Sequence, residues 1–540
     1  MESHLSVFLF LELEFEADHR DQRKVRKLEK HESSIFTATF QVSAVVFAIK
    51  FLGFIKQSVI AASMGATIET DTYFIATNIM TALGTMLFSA ISISLLSMYT
   101  QHMVRWGRLR ANTLISQALK VFFPIALLLA VLFALMAPAI AAFLAPGYQS
   151  EQRQLLSYFI RLMSVSLVFG CYYLIYNVVL EADKHFLPGK AYSFFLNLFL
   201  IIAALFFTDH VGVNALVYAF LLAGLVQCIF ITWCARDLYR FNRRDTIGKQ
   251  QIWHLIQISI PLLIGNAIYE INDIVDKQIA SGLGGGSVSV LSYGASINEI
   301  VTTLIITSVS TVLYAHYTTW IAEGKSERVG DHLKKTLQYF MVFILPIMIV
   351  CISCSQEIVR ILYGRGNFSE DAIRQTCYVV IGYAVGFPFQ AARDTLIKLF
   401  YAFQNTRIPM RNGVIAVSIN VVSSLLLSRI FGTGGIAMAT SIAMLLVTVL
   451  LLKQVPHFIP GFSLKSIKGE CGRAALSIMV SICGAVMLHG KQIGSVTILR
   501  MIIKAGFILC SYIIMLYILK SHCLLDFIAL IQGQIRRRIK

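Results

Sequence analysis

The chain has 540 residues, of which 57% are hydrophobic and 14% charged, with a mean hydropathy of +0.71 and a formal net charge of +17. Such a composition is too apolar for a soluble globule and too long for a single anchor, so it describes a polytopic membrane protein. A nucleic-acid reading of the charge is set aside, because the basic residues are dispersed over loops and not gathered on one face.

Residues 1–35 carry a short apolar run, Val7 to Leu11, broken by Glu12, Glu14 and Glu16 and followed by charges to Glu32. With no basic start and no small-residue cleavage site, this predicts a cytoplasmic extension, amphipathic or disordered, and not a signal peptide. Apolar runs of about 20 residues, the length that crosses a hydrocarbon core, then recur along the chain. They predict about fourteen spans, near 36–62, 73–99, 114–143, 155–181, 191–208, 212–235, 251–276, 288–318, 336–361, 375–401, 411–430, 434–453, 472–489 and 497–519.

The loops after even-numbered spans hold most of the cations. Arg105, Arg108 and Arg110 follow the second span, Arg236, Arg240, Arg243, Arg244 and Lys249 the sixth, and Lys325, Arg328, Lys334 and Lys335 the eighth. The intervening loops hold few, and the first holds only Glu69 and Asp71. The positive-inside rule then places both termini in the cytoplasm, in keeping with an even number of spans. The tail 521–540, with Arg536, Arg537 and Arg538, reads as an anchor to anionic headgroups. The ten cysteines lie almost wholly in apolar spans, and Cys351 with Cys354 reads as small buried hydrophobes in preference to a redox or metal pair.

The two halves echo each other. Ala61 to Gly65 resembles Ala280 to Gly284, Gly147 with Ser150-Glu151 matches Gly366 with Ser369-Glu370, and Pro188 matches Pro409, all at an offset of about 220 residues. Equivalent spans differ by six, an even number, so the repeat is parallel, about an axis along the membrane normal. The predicted fold is therefore all-α, with two pseudo-symmetric six-helix lobes around a central cleft. The lobes cover 36–235 and 251–455, the basic loop 236–250 joins them, and spans 13 and 14 (456–520) are appended.

Charged residues inside spans are costly and mark function by default. Lys50 and Lys56 lie in the first span, six positions apart, which is about 120° around a helix and 9 Å along it. They predict two depths of a cationic path for an anionic cargo, or snorkelling to an interface. Asp71 reads either as an outer gate pairing across the cleft or as the cap of the second span, since Thr70, Asp71 and Thr72 all suit an N-cap. Glu270, Asp273 and Asp276 run roughly along one side of span 7, with Lys277 placed to pair with Asp273. In span 10, Arg393 and Asp394 diverge around the helix, while Asp394 and Lys398 form a favourable i, i+4 pair, with contact to a sugar or peptide headgroup as the other reading.

The stretch Phe51-Leu52-Gly53-Phe54-Ile55-Lys56, through Met64-Gly65-Ala66 to Thr70-Asp71-Thr72-Tyr73-Phe74, resembles the opening of the MurJ/MviN family. That family is a branch of the multidrug, oligosaccharidyl-lipid and polysaccharide exporters. Three other segments are similar to it: Ile271-Asn272 with Ala280 to Tyr293, Arg365 to Ser369 with Asp371, and Phe400-Tyr401-Ala402 through Thr406 to Pro409. The likeness covers roughly residues 36–520.

It implies flipping of lipid II, the undecaprenyl-pyrophosphate-linked peptidoglycan precursor, with spans 13 and 14 forming a groove for the polyprenyl tail. Departures are also present. Lysines stand where the family usually has arginines at positions 50 and 56, which keeps charge but loses bidentate phosphate geometry. The family's Asp-Arg pair falls on Ala295 and Ser296, leaving Glu299 in register as a further substrate-binding residue. Asp276, Asn420 and Thr440 resemble the sodium site of some relatives, a set of hard oxygens; Asn420 and Thr440 also serve as ordinary interhelical hydrogen bonders.

The expectation is a non-enzymatic flippase of the bacterial cytoplasmic membrane, working by alternating access as a monomer on a polyprenyl-pyrophosphate-linked glycan, with lipid II the leading cargo. Another polyprenyl-linked oligosaccharide, of capsule, O-antigen or teichuronic type, or a cation-coupled drug, are the alternative cargoes. No cofactor is expected. Membrane potential or Na+ or H+ coupling would drive transport, since no Walker A motif is present. A membrane-embedded glycan polymerase is disfavoured, because every predicted outer loop is short.

Overall fold

The structure, a computed structural model, describes residues 45–242, 249–459, 462–463, 465–489, 497–526, 528–529 and 532. The expected extension 1–35, the start of the first span, part of the joining loop and most of the tail lie outside the described residues.

All regular structure among the described residues is helical. The first half comprises α1 (Val45–Met64), α2 (Ile68–Gly84), a π-helical turn (Thr85–Ser89), α3 (Ala90–Leu135), α4 (Ala137–Leu144), α5 (Ser150–Met163), α6 (Ser166–Ala182), α7 (Leu187–Phe206), α8 (Thr208–Val211) and α9 (Asn214–Ala235). The second half comprises α10 (Lys249–Ser281), α11 (Ser287–Val301), a second π-helical turn (Thr302–Thr307), α12 (Ser308–Ala322), α13 (Ser326–Ser353), α14 (Ser355–Tyr363), α15 (Glu370–Ala384), α16 (Phe387–Ala402) and α17 (Arg407–Gln454). Last come α18 (Lys465–His489) and α19 (Thr497–Ile518).

Local chemistry sets the starts. Thr67 caps α2 by accepting from the Thr70 N–H at 3.3 Å, and Ser369 caps α15 by accepting from Ala372 at 3.2 Å. Pro138, Pro188 and Pro388 occupy first turns, where a missing N–H costs nothing.

Ten helical stretches among the described residues are long and apolar enough to cross a membrane, against the fourteen spans expected. Two of them, Ile68–Leu135 at 68 residues and Arg407–His457 at 51, far exceed one crossing. Each is turned back by a left-handed glycine, Gly107 at φ 81° and Gly432 at φ 59°. The expected span 375–401 is divided between α15 and α16, and span 472–489 has an apolar stretch of only Gly472–Ile482.

The internal repeat is written in the backbone. Left-handed residues recur 217 to 220 positions apart at Gly65 and Gly284, Gly107 and Gly324, Lys184 and Gln404, and Gly212 and Gly432. The pair Lys184 and Gln404 carries most weight, because a non-glycine residue seldom adopts positive φ. The two π-helical turns also begin 217 residues apart.

Packing divides the molecule along its long axis. At the end formed by the α1–α2, α4–α5, α10–α11 and α14–α15 turns, one hydrophobic core joins both halves, with Ile60, Tyr73 and Leu156 packed into the same cluster as Val288, Tyr293, Tyr363 and Phe368. At the opposite end, where the Arg- and Lys-bearing turns lie, Leu313, Tyr317, Leu333, Leu396, Phe400 and Leu451 form a separate core drawn from the second half alone. Helix α10 belongs to both halves: Leu255 near its start is in the shared core beside α3, and its last turns bond to α17. Apart from α10, the halves therefore meet at one end and diverge at the other, and a further small core fastens α19 to α13 through Tyr512, Leu516 and Val342.

Candidate functional site

The closed end is built around Asp71, which is fully buried in the first turn of α2. Its carboxylate accepts from the Gly286 N–H at 2.7 Å, the Ser289 N–H at 2.6 Å and the Ser289 hydroxyl at 2.5 Å. Gly286 is the N-cap of α11 and Ser289 lies in its first turn. Asp71 thus caps a helix of the other half, and its charge meets the positive end of that helix dipole. The cap of α2 itself is Thr67, so the local-capping reading of Asp71 is corrected.

Around this contact the backbones interlock. The Asn367 N–H donates to the Ala62 carbonyl at 2.8 Å, its amide to the Ser63 carbonyl at 2.6 Å, and the Tyr293 hydroxyl to the Gly65 carbonyl at 3.2 Å. Gly366, at φ 58°, lies so close that a Cβ would stand 2.2 Å from the Ala62 oxygen.

Deeper in the cleft, Lys50 of α1 is ion-paired with Glu299 of α11. Both side chains are half-exposed, at 51% and 58%, so the pair borders open space and not packed protein. Lys50 therefore has a carboxylate partner, from the other half. Lys56, partly buried one and a half turns on, feels both charges, Glu299 as attraction and Lys50 as repulsion. Three charges from two halves therefore converge, two positive and one negative.

Span 7 supplies a second link. Asp273 accepts from Lys277 at 3.0 Å, as its spacing predicts, and also from Asn78 of α2 across the cleft. Glu270 is partly buried, with Asp273 and Lys277 as its charged neighbours.

Asp276, Asn420 and Thr440 are brought together where α10 meets α17. The Ser424 hydroxyl donates to Asp276 at 3.1 Å and the Asn272 amide does so at 3.3 Å. With its amide nitrogen toward the carboxylate, Asn420 donates to Asp276 and to the Asn272 oxygen, each at 3.0 Å, and its own oxygen accepts from the Thr440 hydroxyl at 3.0 Å. That orientation closes the network on itself. Turning the Asn420 amide over would present oxygen beside the Asp276 carboxylate, a donor set that fits a small hard cation. Among the described residues no group of three His, Cys, Asp or Glu side chains could hold a metal ion, and Cys351 and Cys354 are buried free thiols.

Two arrangements depart from the sequence reading or escape it. Arg393 turns back onto adjacent Asp394, at 3.0 and 3.2 Å, and does not diverge from it. Lys504 of α19 forms an ion pair with Glu357 of α14, with side chains 10% and 8% exposed. Both are charges in apolar stretches, the signal that picked out Lys50, but each has an arginine within one turn, Arg360 after Glu357 and Arg500 before Lys504, and neither lies in the repeat landmarks.

The description "Lipid II flippase MurJ" matches residues 60–505 of this sequence. The chain belongs to the MurJ family. Relatives described as "Probable lipid II flippase MurJ" include one from Rhizobium tropici, 24% identical over 423 residues, which cover 74% of this chain and 77% of the relative. Another from Treponema pallidum is 24% identical over 432 residues, covering 78% and 82%. The solved lipid II flippase MurJ in its inward closed conformation superposes with a TM-score of 0.77 at 22% identity, over 89% of this chain and 98% of that one. A multidrug resistance MATE family transporter of the MOP superfamily, in its inward-facing conformation, gives 0.67 at 12% identity, over 77% and 96%. Membership of the MurJ family makes this a multi-pass transport protein, implies the bacterial inner membrane, and implies a polyprenyl-linked glycan as substrate.

Proposed function

We propose that this protein flips lipid II across the cytoplasmic membrane by alternating access, with both termini cytoplasmic and the interlocked end facing outward. The orientation rests on the cations: the diverging end carries the turns with Arg105, Arg108, Arg110, Arg236, Arg240 and Arg328, whereas the first interlocked turn has only Glu69 and Asp71. The cleft then opens to the side on which lipid II is made.

The observation that carries the reading is the convergence of Lys50, Lys56 and Glu299, whose sum is one positive charge bordering open space between the halves. A diphosphate offers more negative charge than Glu299 and would displace it from Lys50. The exchange is cheap, since a half-exposed ion pair is worth about 0–1 kcal/mol. A drug exporter for organic cations would instead need an excess of carboxylates here. Asp276, with Asn420 and Thr440, would supply the coupling-cation site, Asn420 turning its oxygen inward on binding.

The test is translocation of lipid II by purified protein in vesicles. Lys50→Ala and Lys56→Ala are each expected to slow it about tenfold or more, through loss of a charge-assisted phosphate contact worth about 1.5–3 kcal/mol, while the protein still inserts. Full activity in the double variant would reject this site.

A further inference from the structure

In the first half, Arg161 is a charge that neither the cleft nor the packing uses. It stands in the last turn of α5, within the apolar run that α5 and α6 share, and is exposed. Among the described residues its guanidinium has no hydrogen-bonding, ionic or ring partner. Tyr158, one turn earlier on the same face of α5, meets Tyr218 of α9 with the two hydroxyls 3.3 Å apart. The fold does not require this group: at the offset that relates Gly147 to Gly366, the second half has Cys377, Val380 and Ala437 instead.

Helix α9 shows what this surface faces. Tyr218, Leu222, Leu225, Ile229 and Trp233 recur at helical spacing, and each is 46–63% exposed. A stripe of large apolar side chains left open along a whole span faces acyl chains and not water. The main packing partners of α5 and α9, which include α2, α3, α4, α6 and α7, all belong to the first half, so the stripe lies on its outer wall and away from the cleft.

The stripe also sets a depth. Trp233, with the Arg236 guanidinium 5.3 Å from its ring, marks the membrane surface at the diverging end. Both α5 and α9 run from the interlocked end toward that surface, so Arg161, one turn past Tyr158, is at about the level of Leu222, one turn past Tyr218. Leu222 is about 16 Å from Trp233 at 1.5 Å per residue, which in a hydrocarbon layer about 30 Å thick leaves about 14 Å to the surface at the interlocked end. An arginine arm leans toward the N-terminus of its helix, here toward that surface, and covers about half of the distance. Snorkelling alone therefore leaves the guanidinium short of water, where an unpaired charge is expensive. A phosphate that reaches down from the headgroup layer supplies the missing counter-ion, accepts from the guanidinium at two oxygens, and meets the Tyr158 and Tyr218 hydroxyls on the way.

We propose that Arg161, with Tyr158 and Tyr218, is a binding site for the phosphate of an anionic phospholipid in the leaflet nearer the interlocked end. The occupant is a lipid of the surrounding membrane and not the transported cargo, so the site stands independently of the lipid II reading.

The experiment is native mass spectrometry of the purified full-length protein, delipidated and then titrated with phosphatidylglycerol or phosphatidylcholine, which reads the first lipid bound. The wild type should take phosphatidylglycerol about five- to tenfold more tightly, as expected for one basic residue acting on an anionic headgroup. Arg161→Gln should remove that preference, and Arg161→Lys, a point charge without the fork, should keep part of it. Arg105→Gln, which lowers the net charge equally at the diverging end, should leave it whole. Glycerol 1-phosphate should not displace the lipid, since it lacks the chains that lie along the stripe. Equal affinity of the wild type for the two lipids, a preference that survives Arg161→Gln, an equal loss in Arg105→Gln, or displacement by glycerol 1-phosphate would each overturn the proposal.

Discussion

Replacing Asp71 by Asn removes the charge that caps α11 from the opposite half, while keeping size and one acceptor oxygen. The carboxylate makes three hydrogen bonds, to Gly286 N–H, Ser289 N–H and the Ser289 hydroxyl, and sits at a helix N-terminus in a fully buried position. Bonds to a charged group are worth about 1.5–3 kcal/mol each and the helix dipole up to about 2 kcal/mol, but burying the charge returns much of this. A net loss of about 2–4 kcal/mol for the closed end follows, or about 30- to 700-fold in its opening equilibrium. Hydrogen exchange of the purified protein in nanodiscs reads this directly. Segments 62–68, 284–292 and 365–368 should exchange faster in Asp71→Asn, while the separate core near Leu333 and Leu451 should keep its wild-type protection. Unchanged exchange in those three segments, or an equal rise at both ends, would show that Asp71 does not hold the halves together.

Three further outcomes follow from other contacts. Gly366→Ala should loosen the same end, since its Cβ would stand 2.2 Å from the Ala62 oxygen at a backbone conformation L-residues avoid; wild-type exchange in 62–68 would contradict this. Lys504→Met should lower the melting temperature in detergent, because stranding buried Glu357 costs about 3–5 kcal/mol, and the double change with Glu357→Met should recover most of it; no recovery in the pair would mean the ion pair is not the cause. Asp276→Asn should abolish any dependence of lipid II translocation on Na+ or on a proton gradient, and a dependence that survives the substitution would remove this cluster as the coupling site.

The repeat was legible in the sequence because it is carried by turn chemistry. Gly65 and Gly284 stand out as residues, and their left-handed conformations recur in step. The breaks at Gly107 and Gly432 fall where the sequence reading separates 73–99 from 114–143 and 411–430 from 434–453, whereas the break between α15 and α16 escaped it, because Val385 and Gly386 lie inside one apolar run. Lys50 was conspicuous as a charge in an apolar span, but its partner is 249 positions away and no local pattern announces it. Of the two readings of Asp71, capping of its own helix fails, since Thr67 does that, and the carboxylate instead reaches the first turn of α11 in the other half. Adjacent Arg393 and Asp394 were expected to diverge on the strength of helical angles, which ignore how far a long guanidinium arm can fold back.

The magnitudes also constrain how such a machine could run. With the interlocked end outward, opening must overcome the Asp71 contact and its neighbours, about 2–4 kcal/mol for the carboxylate alone. A cargo can shift that equilibrium only by as much as it binds the open form better than the closed one. A diphosphate carrying about two negative charges gains about 2.3 kcal/mol per charge per 100 mV on moving to a positive exterior, or about 4–5 kcal/mol in all. That is the same size as the contact to be broken, so under the proposed mechanism membrane potential acting on the cargo's own charge would suffice without nucleotide hydrolysis. The Lys50–Glu299 pair would work in the same direction: it bridges the halves, and under the proposed function a diphosphate that took Lys50 from Glu299 would remove that bridge at the moment the cargo is in place.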